Sequence, residues 1–328
     1  MKDTLAETQK KRLDLWLASD SSPAVEKVLE THLSTVVLAD RVYKIRKPVK
    51  FPFIDQCTPM LRYEAIAREI VRGSHFSPQV YVGIHYLNDD GDMDPVGSCP
   101  SEPVLVMQRI PEELCACRML PKADAATIDK FANDLVAIHA QLPRVPPEEV
   151  IENIAYSWDV NLRAMTGEGL PVPAEKLVKL YQEAMWHLNN LKPIITKRAS
   201  DGYARMGHGD LRLDHVFLTH PLSLIDALDY NPRLCRTDVL AELAFLIMEL
   251  RALGHYDVAS CLAVAYNGDC YTREVVRLTE FFVSYRALVR AKVEWLRHRQ
   301  LGRYEKVQTL RNFQHLVELS REALGHVG

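Results

Sequence analysis

The sequence predicts an α+β protein of two lobes, a small antiparallel β-sheet lobe followed by a larger, mainly helical one. Three observations carry that expectation. Runs of β-branched residues around tight turns crowd the first third of the chain, and segments with apolar residues three and four apart fill the rest. A polar, proline-closed stretch, Gln108-Arg109-Ile110-Pro111, separates the two regimes. The expected division is a helical extension over 1–22, a first lobe over 23–107 and a second over 108–328, a length that fits two moderate cores.

Residues 5–17 carry the pattern of a short amphipathic helix, broken by Ser19-Asp20-Ser21-Ser22-Pro23. Strands follow at 25–28, 35–38 and 42–49, the last two joined by the turn Ala39-Asp40-Arg41. Helical spacing returns over 61–71 and Gly73 ends it; strands at 79–84 and 104–107 flank the turn Asn88-Asp89-Asp90-Gly91-Asp92. Beyond the hinge, helices are expected at 125–142, 151–165, 174–191, 239–253, 256–266, 273–299 and 304–324. Between the third and fourth of these, Val216-Phe217-Leu218, a turn at His220-Pro221-Leu222-Ser223, and Leu224-Ile225 read as a hairpin that delivers Asp226 beside Asp210.

Composition narrows the class. Hydrophobic residues make up 48% and charged residues 25%, as in an ordinary globular protein. The charged start has no apolar core for a signal peptide, and no run approaches a membrane span, so a cytoplasmic protein without membrane partners is expected. Residues 272–328 hold 11 Lys/Arg and 6 Asp/Glu, against 29 and 37 in residues 1–271. Sparse aromatic interleaving argues against nucleic acid, and favours a locally anionic small molecule or a solvated helix face. The seven cysteines, Cys57, Cys99, Cys115, Cys117, Cys235, Cys261 and Cys270, include no C-x-x-C pair and read as reduced, mostly buried thiols.

The chemistry concentrates in His208-Gly209-Asp210-Leu211-Arg212-Leu213-Asp214-His215, with Ile225-Asp226 downstream. One carboxylate, a cation two residues on, a metal-capable side chain five residues on and a second carboxylate can together handle a nucleophile, a γ-phosphate and Mg²⁺. Against the protein-kinase pattern H-R-D-x-K-x-x-N followed by D-F-G, Asp210 matches the catalytic Asp, Arg212 the phosphate-facing Lys, His215 the metal-binding Asn and Asp226 the metal Asp. The His-Gly-Asp variant, with the segment from His208 to Leu246, resembles the aminoglycoside phosphotransferase-like superfamily. A bacterial subgroup of uncharacterised phosphotransferases within it is similar also through Val42-Tyr43-Lys44-Ile45-Arg46-Lys47-Pro48 and Tyr285-Arg286-Ala287-Leu288-Val289-Arg290-Ala291-Lys292, over about residues 25–300.

The resemblance implies a two-lobed protein-kinase-like fold and an ATP-dependent kinase with Mg²⁺, Mn²⁺ being a possible substitute. It implies that Asp210 deprotonates an acceptor hydroxyl, that Asp226 and His215 hold the metal, and that Asp238 braces the catalytic loop, with Asp229 and Glu242 as weaker candidates. Imidazole is a softer ligand than the amide it replaces, and it can instead hydrogen-bond the loop; His is usual here in the subgroup. Asp238 can equally cap the following helix.

On the nucleotide side, alternation puts Val42 and Lys44 on one strand face, for the adenine and the α/β-phosphates respectively. Lys47 is the alternative lysine, and Arg46 an ordinary edge charge. Glu69, with Glu64 as alternative, holds the lysine from the next helix. No G-x-G-x-x-G loop occurs; Thr31-His32-Leu33-Ser34-Thr35 takes its place, where Ser34 and Thr35 either cover phosphates or satisfy a hairpin turn. Met107 and Gln108 would lie near the adenine. On the acceptor side, Arg286 and Arg290 share a helix face and suggest a neutral or anionic small-molecule acceptor. A regulatory pseudokinase is the alternative to an enzyme.

Overall fold

The computed structural model describes residues 2–19, 22–31, 33–51, 54–97, 101–165, 167, 169–299 and 306–328. Cys99, His32 and the start of the expected helix 304–324 lie outside them. The chain forms two compact units, one of Met1–Leu114 with Ser223–Asn231, the other of Cys115–Leu222 with Pro232–Gly328. The sequence placed one crossing at 107/108; the structure has it at 114/115 and returns residues 223–231 to the first unit.

Unit 1 contains α1 (Lys2–Ala18), β1 (Lys27–Glu30), β2 (Ser34–Leu38), β3 (Arg41–Arg46), α2 (Pro59–Ser74), β4 (Tyr81–Leu87), β5 (Met93–Asp94) and β6 (Glu102–Gln108). The strands form one antiparallel sheet in the order β1-β2-β3-β6-β4-β5. Strand alternation divides β3 between two cores. Tyr43 and Ile45 pack with Trp16, Val37, Leu87 and Val104, whereas Val42 joins Ile66, Val80, Tyr81, Leu105 and Met107.

Helix α1 is therefore part of the lobe and not an extension of it. Trp16 is 1% exposed, and the Gln9 amide donates to the Arg46 carbonyl at 2.7 Å and to Glu102 Oε1 at 2.8 Å. Helix α2 starts where Thr58 Oγ1 accepts from Leu61 N–H, with proline in the first turn where its missing N–H costs nothing. It runs past Gly73, which was expected to stop it. A Cβ at Gly73 would lie 2.0 Å from the Tyr81 ring, so this glycine lets the helix approach the sheet.

Unit 2 contains α3 (Ala125–Gln141), α4 (Pro147–Ala164), α5 (Ala174–Ser200), β7 (Ala204–Met206), β8 (Arg236–Asp238), α6 (Leu240–Ala252), α7 (Tyr256–Asn267), α8 (Arg273–His298) and α9 (Lys306–Gly325). Strands β7 and β8 pair antiparallel, a short ribbon with no alternation long enough to announce it. Helix α6 is buried from Leu240 to Met248 and packs on α8, which also carries α9. Helix α5 continues nine residues beyond its expected end despite Pro193, because Ile195 and Ala199 extend the stripe of Leu188 and Leu191 into the core. Tertiary burial there outweighs the local cost of proline.

Among the described cysteines only Cys115 and Cys235 are buried; Cys261 and Cys270 are exposed, contrary to the mostly buried set expected. Among the described residues no helix is long and apolar enough to cross a membrane.

Candidate active site

The β-sheet register fixes the first cluster of functional side chains, in unit 1. Lys44 lies opposite Val36 on one side and Leu105 on the other, while Val42 lies opposite Met107. Glu69, on the buried stripe of α2, presents Oε1 to Lys44 Nζ at 2.8 Å and Oε2 to Arg46 at 2.5 Å. Glu69 is thus the carboxylate that meets Lys44. Lys44 Nζ also lies 2.6 Å from Asp226 Oδ1. Burial opposes the lysine charge, but the carboxylates of Asp226 and Glu69 outweigh it and hold the ammonium's pKa above the usual lysine range.

Asp226 reaches this cluster because residues 223–231 are pinned to unit 1. Ser77 Oγ donates to the Leu224 carbonyl at 2.9 Å and accepts from Leu224 N–H at 2.7 Å, and Gln79 donates to Ser223 Oγ at 3.0 Å. Asp226 has φ of 61°, the left-handed region that Asp tolerates better than most residues, and its N–H donates to the Tyr81 hydroxyl at 3.3 Å. Its side chain is 49% exposed.

Two residues weigh more here than the sequence suggested. Arg46, expected to be an edge charge, is 4% exposed and joins Glu69 to Asp229, at 2.9 Å from the latter. Burial raises the pKa of Asp229, and Arg46 works against that rise. The signal available was strand parity: Arg46 alternates in step with Lys44.

Ser34 and Thr35 are not placed as a phosphate cover. Both are buried; Thr35 Oγ1 donates to Glu30 at 2.9 Å, and Thr31 Oγ1 accepts from Ser34 N–H at 2.9 Å. They belong to the β1–β2 hairpin, the plainer of the two expectations. Met107 is buried in the core with Val42, and Gln108 is exposed at the end of β6 with its N–H on the Val80 carbonyl at 2.7 Å.

In unit 2, the buried ion pair of Glu242 and Arg286 holds the His208-Gly209-Asp210 loop. Glu242 accepts from His208 N–H at 2.6 Å and from Gly209 N–H at 3.1 Å. Arg286 donates to Glu242 at 3.1 Å, to the Gly209 carbonyl at 3.0 Å and to the Ala241 carbonyl at 2.8 Å. Gly209 has φ of 87°, which only glycine adopts freely, and a Cβ on Gly207 would meet the Glu242 carboxylate at 2.8 Å.

Two expectations are corrected by this arrangement. Arg286 is 2% exposed and fully engaged, so it is a strut of the loop and not a cation presented to an acceptor. Asp238 is not the brace: it pairs with Arg198 at 2.7 and 2.9 Å and accepts from Leu240 N–H at the start of α6. Glu242, the weaker candidate, does that work. A carboxylate two positions into a buried helix was the available signal, since it must find donors.

Asp210 carries its side chain 32% exposed beyond this strut. His215 Nδ1 lies 2.9 Å from the Asp210 carbonyl, which can only accept, so Nδ1 bears the proton and Nε2 is the nitrogen able to ligate a metal in the neutral ring. Arg212 is tied to Glu249 at 3.1 Å and Asp214 at 2.8 Å, and Leu213 N–H also donates to Glu249. Arg290 reaches Glu249 only at 3.9 Å. Cys115 Sγ donates to the Leu213 carbonyl at 3.5 Å.

No family model matches the chain. An uncharacterised protein of Mycobacterium tuberculosis is 30% identical over 283 residues, covering 83% of this chain and 55% of that protein. The chain spans about half the length of the curated relatives it matches. Among solved structures, a choline/ethanolamine kinase family protein from Mesorhizobium loti superposes over 98% of both chains with a TM-score of 0.58 at 14% identity. The GDP complex of an aminoglycoside 2′-phosphotransferase does so over 96% of both with a TM-score of 0.53 at 16% identity. The chain shares the kinase-like fold of these two solved structures.

Proposed function

We propose that the protein is an ATP-dependent phosphotransferase that acts on the hydroxyl of a small molecule. The observation that carries this reading is Lys44 held between Glu69, at 2.8 Å, and the half-exposed Asp226, at 2.6 Å. A buried lysine fixed by one carboxylate, with a second carboxylate open to solvent, suits the oxygens of a polyphosphate and a divalent ion.

A nucleoside triphosphate with Mg²⁺, or Mn²⁺ in its place, supplies the phosphoryl group when bound. Among the described residues no group of three or more His, Cys, Asp or Glu side chains forms a metal cage. That fits Mg²⁺, which keeps water and phosphate oxygens and takes one or two protein ligands. Asp226 would be its carboxylate ligand in this reading. Lys44 neutralises phosphate charge while Glu69 keeps its ammonium oriented. In this reading the base lies at the end of β6, near Met107 and the exposed Gln108.

Asp210 takes the proton of the acceptor hydroxyl while the acceptor oxygen bonds to the γ-phosphorus and the bond from that phosphorus to the diphosphate oxygen breaks. The strut of Glu242 and Arg286 fixes the backbone from which Asp210 projects, so little reorganisation is left for the reaction itself. Arg212, compensated by Glu249 and Asp214, orders the turn after Asp210.

Calorimetry with Mg-ATP and turnover assays against a metabolite pool test the reading on Asp210→Asn, Asp226→Ala and Lys44→Met. Asp210→Asn is expected to bind nucleotide normally and lose about a hundredfold or more in turnover; Asp226→Ala is expected to lose Mg²⁺-dependent affinity. A second reading, a nucleotide-binding pseudokinase, is favoured by one observation, the Thr31 and Thr35 hydroxyls that serve their own hairpin. Equal, slow ATP hydrolysis by the parent and Asp210→Asn would select it.

A further inference from the structure

Two cations on α8 lie beside the Asp210 loop with less negative charge around them than they need. Lys292 is partly buried, and no hydrogen-bond acceptor or carboxylate among the described residues pairs with its amine. It sits within electrostatic range of the Asp210 carboxylate and of the Arg286 guanidinium, whose charge is already met by Glu242. Arg290, one half-turn earlier, shares Glu249 with Arg212 and stands 3.9 Å from it, while Arg212 holds the same carboxylate at 3.1 Å. One carboxylate thus serves two guanidiniums, and the amine two residues further on has none.

A desolvated cation without a partner costs free energy, and a fold keeps such a deficit where a ligand removes it. Burial lowers the pKa of both groups, that of Lys292 to about 8 despite Asp210. The ammonium is therefore charged at neutral pH and short of acceptors.

We infer that Lys292, assisted by Arg290, receives an anionic group of the acceptor beside the hydroxyl that Asp210 activates, so that the acceptor is a hydroxylated phosphate ester or carboxylate. This rests on the phosphotransferase reading and specifies its acceptor. It also moves the acceptor-facing charge from Arg286, which is a strut, to the next turns of the same helix. A monoanionic or dianionic group there gains charge-assisted hydrogen bonds from groups that have few others to lose.

Equilibrium dialysis of radiolabelled sulfate against the full chain at pH 7 and constant ionic strength tests the inference directly. One saturable site is expected, weakened about tenfold or more in Lys292→Gln, kept in Lys292→Arg and weakened less in Arg290→Gln. Lys44→Met should leave it intact. Glycerol 3-phosphate or glycerate should compete, the stronger competitor identifying a phosphate or a carboxylate as the natural group. No saturable sulfate, unchanged affinity in Lys292→Gln, or loss in Lys44→Met with Lys292→Gln unaffected would each overturn the inference. Circular dichroism and a cooperative melt establish that each variant is folded, and Lys292→Arg separates charge from packing. Mg-ATP calorimetry on the same preparations keeps the two readings apart: sulfate binding without nucleotide binding sinks the phosphotransferase and not the anion site, and the reverse sinks only the anion site.

Discussion

In unit 1, Glu69 divides its oxygens between Lys44 and Arg46, and Lys44 turns its remaining reach to Asp226, whose side chain is 49% exposed. In unit 2, Glu242 gives its oxygens to two backbone N–H groups and to Arg286, and the two side chains are 1% and 3% exposed. Both clusters are made of carboxylates and basic residues gathered from a helix and a distant segment. They differ in whether the ring of partners closes. The Glu242–Arg286 pair has every oxygen and most donors engaged internally, so it can only fix the loop it holds. The Lys44 cluster ends on a carboxylate open to solvent, and a ligand can exchange into that end without uncovering a buried charge.

The largest effect expected from this difference is on stability. Arg286→Met leaves Glu242 buried and unpaired, and should cost about 3–5 kcal/mol in urea unfolding, with loss of amide protection at His208 and Gly209 in hydrogen exchange. A cost below about 1 kcal/mol would mean that the loop does not depend on the pair. Asp226→Asn, by contrast, removes a half-exposed partner and should change stability by no more than about 1 kcal/mol while it weakens Mg-nucleotide binding. A loss as large as that of Arg286→Met would erase the distinction between the open and closed clusters.

The smallest effect concerns pH. Lys292 is faced by Asp210 from the loop and by Arg286 from its own helix, while Glu242 and Glu249 of α6 are taken up by Arg286 and by Arg212 with Arg290. Burial brings its folded pKa to about 8, below the value near 10.4 of an unfolded lysine. Between those values the unfolded chain binds more protons than the folded one, so stability from this group rises with pH. Lys292→Met should therefore be more stable than the parent at pH 7, with the gap narrowing by about pH 10. A gap that widens with pH would show that the amine is paired in the folded protein.

Much of this was legible in the residues themselves. Helices α3, α6, α7 and α8 begin and end within a few residues of where apolar spacing and caps put them, Asp124 and Thr272 serving as side-chain caps for α3 and α8. Lys44 and Glu69 could be paired in advance because strand parity and the buried stripe of α2 leave few other choices. The misjudged residues share one property: Gly73, Arg46, Asp238 and Arg286 each have a local reading that is chemically sound. What decided them was a neighbour distant in sequence, such as Tyr81 for Gly73 or Glu242 for Arg286.

The order of sheet and helices, the His-Gly-Asp loop and the choice of Lys44 and Glu69 could be read from the chain, because periodicity, caps and motif spacing are local properties. The fold then settled which charges are fully partnered struts and which are left short of partners. Arg286 and Arg290 are four residues apart on one helix and indistinguishable by type, yet the first is 2% exposed among three acceptors and the second shares a single carboxylate at 3.9 Å. Desolvation and the supply of partners set a charged residue's role, and both depend on what the fold brings against it.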